Sequence, residues 1–151
     1  MDNDAQVGTL ETLTTTLIDS INGYEDAATN SENSRFQQLF RERASERREV
    51  VEDLRSTIRQ LGGDPPDDGS FMGQTHQRWL DLKAAVTGRD DQRIINSVEA
   101  GEDYLKEKFE TALDDTDLTG PARQAVERAY QSVRSGHDQM SQLKHGMETD
   151  S

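Results

Sequence analysis

Five ionisable residues stand where helical spacing calls for apolar ones or close beside such positions: Glu25, Glu46, Glu99, Glu102 and His137. Glu102 and His137 fall at the centre of their apolar stripes, while Glu25, Glu46 and Glu99 fall at the centre or the edge. Carboxylates from several helices together with imidazole are the donor set of di-iron and di-manganese centres in helical bundles, and hard oxygen plus imidazole suits iron or manganese. The pattern departs from such a centre in three ways. Arg134 stands three residues before His137, where a Glu-x-x-His pair needs a carboxylate. The stretch around Glu46 reads Glu46-x-x-Glu49 and holds no histidine. Arg43 and Arg47 occupy inward positions and would repel a dication. The same residues can instead form a buried ion-pair layer, with Arg43 and Arg47 facing Glu99, Glu102 or Glu25 and His137 hydrogen-bonded to a neighbour. Such a layer fixes helix register and adds little net stability. The structural layer is the expectation, with no catalytic residue and no cofactor; iron or manganese on the five candidates is the alternative.

Four amphipathic stretches must position these groups. Leu10, Leu13, Leu17, Ile21, Tyr24 and Ala28 recur at steps of three and four, which predicts a helix over about 8–29 with Thr9 as its N-cap. Tyr24 and Tyr130 read as aromatics at the edge of the core with a polar tip. Phe36, Leu39, Phe40, Val50, Val51, Leu54, Ile58 and Leu61 make the second stripe, interrupted by Arg43 and Arg47. Gly62-Gly63 can end that helix and Pro65-Pro66 cannot continue it. A third helix starts near Asp90-Asp91 and carries Ile94, Ile95, Val98, Glu102, Leu105, Phe109 and Leu113. A fourth starts at Pro121, with Ala122, Val126, Ala129, Val133, His137, Met140 and Lys144 on one face. Between the second and third, Ser70 can cap a shorter helix with Met72, His76, Trp79 and Val86, Trp79 anchoring it to the rest. The expected fold is all-α: an up-down four-helix bundle of the ferritin-like kind, with a long crossover containing a short extra helix. One domain over 8–145 is expected, with a flexible N-terminus (1–7) and a flexible tail (146–151).

Composition removes whole classes of function. The 151-residue chain has no cysteine, so disulfides, thiolate nucleophiles and cysteine-ligated metals are excluded. No apolar run approaches the roughly 18–20 residues that span a bilayer, and Met1-Asp2-Asn3-Asp4 is no signal peptide, so a cytoplasmic location away from membranes is expected. A formal net charge of −13 repels phosphate backbones and argues against nucleic acid as a partner. It leaves a second copy or another protein as the expected partner.

The residues also carry a resemblance. Leu61-Gly62-Gly63-x-Pro65, Gly69-Ser70-x-x-Gly73-x-x-His76-x-x-Trp79-x-x-Leu82-Lys83, Gly88-x-Asp90 and Glu99-x-Gly101-Glu102-Asp103 resemble a bacterial family of ferritin-like four-helix bundles labelled only as a domain of unknown function. Glu42-Arg43-Ala44-x-x-Arg47 and His137-Asp138 are similar to it as well. The resemblance implies the ferritin-like fold and no established activity. It places the recurrent polar positions on Arg43, Arg47, Glu99, Glu102 and His137, and the general tendency of ferritin-like proteins implies a stress-associated role.

Overall fold

The computed structural model describes residues 3–67 and 91–150. Four long helices make up nearly all of these: α1 (Asn3–Asn30), α2 (Ser34–Gln60), α3 (Asp91–Asp114) and α4 (Gly120–Asp150). No strand occurs among the described residues. The shorter helix expected around Ser70, Met72, His76, Trp79 and Val86 lies outside them.

Hydrogen bonds at the two ends fix the helix directions. The Asp91 carboxylate at the start of α3 accepts the backbone N–H groups of Glu32 and Asn33 (3.1 and 3.2 Å), in the turn between α1 and α2. At the other end, Thr119, just before α4, donates its N–H to Gln6 in α1. α1 and α4 therefore run one way, α2 and α3 the other. α1 packs on α2 and α3, and α4 on α3 and α2, so α2 and α3 are diagonal neighbours in a four-helix bundle.

The stripes that define the helices are the stripes that are buried. Leu10, Leu13, Leu17, Tyr24 and Ala28 from α1 meet Phe40, Val51, Leu54 and Ile58 from α2. Ile94, Ile95, Val98, Leu105 and Phe109 from α3 meet Ala122, Val126, Ala129, Val133 and Met140 from α4. Thr14, Thr15 and Thr16 are buried in α1 as well. Each donates its hydroxyl to the carbonyl four residues back, so β-branched polar residues sit inside a helix with their hydrogen bonds satisfied.

One expectation about a helix end is corrected. Thr9 is not an N-cap: α1 begins at Asn3, and the Thr9 hydroxyl donates to the Ala5 carbonyl within the helix. The cause is a contact with the end of α2. Gly62 adopts a positive φ of 86°, and Gly63 N–H donates to the Ile58 carbonyl at 2.9 Å, closing α2. A Cβ on Gly63 would lie 2.6 Å from Val7 Cγ1, so the bare backbone lets the first turns of α1 press against this cap. Asn3 Nδ2 then donates to the Leu61 carbonyl at 2.6 Å. At the far terminus α4 extends to Asp150.

Asn33 caps α2 by accepting the Arg35 N–H at 2.9 Å. The carboxylate of Asp91 ties that same turn to α3. Asp91→Ala strands two N–H groups at a partly solvated corner and should cost roughly 1 kcal/mol in urea unfolding. A cost within the scatter of surface substitutions would show that water replaces the carboxylate without loss.

Candidate functional site

Halfway along the bundle the apolar packing is broken by one charged pair. Arg47 of α2 and Glu102 of α3 are both fully buried. Their helices are diagonal, so the two side chains span the core. The guanidinium meets the carboxylate as a fork, Nη1 to Oε1 at 2.9 Å and Nη2 to Oε2 at 2.7 Å. The remaining guanidinium donors are also matched. Nε donates to Ser132 Oγ at 3.0 Å, Nη1 to Ser20 Oγ at 3.2 Å and Nη2 to the Ser132 carbonyl at 3.3 Å. Arginine has five N–H groups, and each has an acceptor here.

The network continues outward. Ser20 Oγ donates to the Leu17 carbonyl, and Ser132 Oγ donates to Glu46 Oε1 at 2.7 Å. Arg43, half-buried, bridges Glu46 Oε1 and Gln139 Oε1. Every helix contributes: Ser20 and Tyr24 from α1, Arg43, Glu46 and Arg47 from α2, Glu102 from α3, and Ser132 and Gln139 from α4. Tyr24 is fully buried rather than at the core edge, its ring packed against Phe40 with the Arg47 guanidinium 5.7 Å from its centroid. Its ring is packed inward beside the ion pair. Tyr130 does sit half-buried, its hydroxyl donating to Glu110 at 2.6 Å.

Electrostatics follow from this packing. Burial is the largest single influence on Arg47 and would lower its pKa, but the charge and hydrogen bond of Glu102, together with the smaller effects of other neighbours, hold the guanidinium above its ordinary value. Burial, reinforced by the Glu102 charge, pushes the Tyr24 hydroxyl well above the usual tyrosine value, against the pull of Arg47 and Arg43. Tyr24 is therefore a neutral phenol within the layer.

Gly136 makes the arrangement sterically feasible. A Cβ there would lie 2.4 Å from Arg47 Nη2 and 2.7 Å from Glu102 Oε2. α4 thus presents a bare backbone to the fork. The neighbouring His137, expected at the centre of this face, is turned to its edge, because Gly136 takes the inward direction and adjacent helical residues point about 100° apart.

The five metal candidates are distributed over the bundle rather than gathered. Glu25 is exposed and paired with Arg48. Glu46 is half-exposed and belongs to the Arg43–Ser132 network. Glu102 is committed to Arg47. Glu99, half-buried, accepts from Lys144 Nζ at 3.2 Å. His137 has Nε2 2.5 Å from Asp103 Oδ1 and Nδ1 3.3 Å from Asp138 Oδ1. Only Glu99 and His137 come together, and they do so with Asp103, a residue not among the sequence candidates: one ligand atom from each lies within 4.8 Å of the others. Of the expected polar layer, Arg43, Arg47 and Glu102 lie in the central network, while Glu99 and His137 lie at the rim of α3 and α4. Ser20, Ser132 and Gly136 had no signal beyond being small residues at the depth of the charged ones.

A four-helix bundle with a buried, hydrogen-bonded charge pair at its centre is the class of protein defined by this geometry. The chain matches the family described as "Domain of unknown function (DUF2383)" over residues 5–115, and it belongs to that family. The matched region spans α1 to α3, so it contains Arg47 and Glu102 but not Ser132, Gly136 or His137. No curated protein matches the chain.

Removing one member of the pair leaves an uncompensated buried charge. Arg47→Met should destabilise by about 3–5 kcal/mol, whereas Arg47→Met combined with Glu102→Leu should recover most of the loss. Chemical denaturation of both variants tests this, and a double variant as unstable as the single one would refute it. Gly136→Ala should be destabilising too, by an amount that shrinks in the double-variant background.

Tyr24 adds an alkaline signature. Its pKa is raised in the folded chain, so between the ordinary value near 10 and the folded value the native state holds a proton that the unfolded state has released. That contribution to stability is complete below pH 10 and is lost as pH rises beyond it. Tyr24→Phe should flatten the fall in stability between pH 9 and 11 relative to the parent; an unchanged slope would show that Tyr24 is not its source.

Proposed function

We propose that this chain is a ferritin-like bundle of the bacterial cytoplasm that acts without catalysis, with a central charged layer serving architecture rather than chemistry. The observation that carries this reading is the occupant of the core. Where a di-metal bundle protein directs several carboxylates at metal ions, this chain directs one buried carboxylate at a guanidinium, in a two-pronged contact with every N–H matched. The helix directions support the ferritin-like assignment, since α2 and α3 run parallel and the chain between them joins opposite ends of the bundle. No helix among the described residues is long and apolar enough to cross a membrane, which supports a role away from the bilayer.

The buried layer recognises the bundle's own helices. It rewards one register and one rotation of α2 against α3, because a shift of a single residue would take Arg47 away from Glu102. Function then resides on the outer surface, in self-association or in contact with another protein. The excess of acidic groups favours a partner with a basic face.

The alternative, a di-iron or di-manganese redox or storage protein using Glu25, Glu46, Glu99, Glu102 and His137, requires Glu102 to exchange Arg47 for metal. Anaerobic addition of ferrous iron followed by oxygen separates the two readings. The architectural reading expects no oxo-bridged diferric absorption and no retention of two irons per chain after desalting. Two retained irons that disappear in both Glu102→Gln and His137→Ala would overturn it in favour of the redox protein.

A further inference from the structure

We infer that α3 and α4 carry a surface site for a single first-row transition dication, with Glu99, Asp103 and His137 as its ligands. This goes beyond the architectural reading and is independent of the buried pair. Glu99 and Asp103 are one helical turn apart on α3, and His137 faces them from α4, so the three donors come from two helices fixed against each other by the core.

The chemistry of the donors is specific. The two ring nitrogens of His137 face carboxylates on opposite sides, Nε2 toward Asp103 at 2.5 Å and Nδ1 toward Asp138 at 3.3 Å. A metal-binding histidine commonly has this surrounding: one nitrogen for the ion, the other held by a carboxylate that sets the ring's orientation. Asp138 supplies that second contact. Glu99 completes the set, and the ligand atoms of all three lie within 4.8 Å of one another. Ligands about 2.0–2.2 Å from a tetrahedral ion are roughly 3.3–3.6 Å apart. The His137–Asp103 separation of 2.5 Å is shorter than that and all three ligand atoms lie within 4.8 Å, so small rotations of the side chains suffice to reach it.

Without metal, the charge of Glu99 is answered by Lys144, whose Nζ lies 3.2 Å from its carboxylate. Lys144 is only partly covered, on the last part of α4, and its long side chain can withdraw into solvent. Three protein ligands leave a position for water. Imidazole with two carboxylates selects zinc and its first-row neighbours over magnesium or calcium, whose all-oxygen preference the histidine does not meet.

Calorimetric titration of the full chain with zinc chloride tests the site. One equivalent should bind saturably, with tenfold or greater weakening in His137→Gln and in Asp103→Asn and no change in His145→Gln, which alters a histidine outside the cluster. Excess magnesium should not displace the zinc. Lys144→Met should bind at least as tightly as the parent, because it releases Glu99. Far-ultraviolet circular dichroism of the variants checks that the helices persist. Absence of saturable binding, or His137→Gln binding as tightly as the parent, would overturn the site and leave the architectural reading standing. Two equivalents of iron lost with Glu102→Gln would instead overturn the architectural reading.

Discussion

A charge pair buried in a helical bundle must be satisfied in full or it costs more than the surrounding packing can supply. Transfer of a carboxylate and a guanidinium out of water carries a penalty of several kcal/mol for each ion. The Arg47–Glu102 contact meets that requirement, and much of the middle of the bundle is arranged so that it can. Ser20 and Ser132 accept the guanidinium donors that Glu102 cannot reach. Gly136 withdraws a side chain from the place where the fork closes. Tyr24 lays an aromatic face near the guanidinium and remains uncharged. None of these residues would be needed at these positions by an apolar core.

The consequence is a division of labour along the helices. Toward each end, Leu, Ile, Val and Phe side chains supply the apolar burial that makes the fold stable. These contacts discriminate poorly among registers, since a helix slid by one turn can bury another apolar residue in the same space. The charged layer discriminates strongly and stabilises little. α2 and α3 do not pack on each other directly, yet the fork joins them through the centre. It therefore joins one helix of each hairpin to the other hairpin, a relation that neither the α1–α2 turn nor the α3–α4 turn determines.

The apolar stripes were legible because helical periodicity exposes them directly, and the end of α2 was legible from Gly62-Gly63. Arg47 and Glu102 were legible for a related reason: each interrupts a stripe at its centre, and opposite charges at similar depth invite pairing. The remainder of the site was not. Ser20, Ser132 and Gly136 look like ordinary small residues until the depth of Arg47 is known. His137 continues the spacing of Val133 and Met140 and so reads as inward, but Gly136 fits that spacing nearly as well and takes the position when the fork needs room. Asp103 follows Glu102 immediately, so helical geometry turns it well away from the core and toward α4. The true start of α1 was hidden because it depends on Gly63, far away in sequence, accepting Val7 against its backbone.

The two polar sites differ in how easily their occupant can be exchanged. In the centre the cation is part of the chain, and replacing it by metal would require Arg47 to leave a fully buried position where every donor is matched. At the rim the cation on Glu99 is a lysine with access to solvent, and Asp103 is largely exposed. The barrier to exchange is therefore high at the buried site and low at the surface one, although both are built from glutamate and a basic side chain. Burial, more than ligand identity, decides which of these carboxylates is available to an ion from solution. A helical bundle can in this way keep inward glutamates for register while leaving an imidazole and two carboxylates at its edge for reversible chemistry.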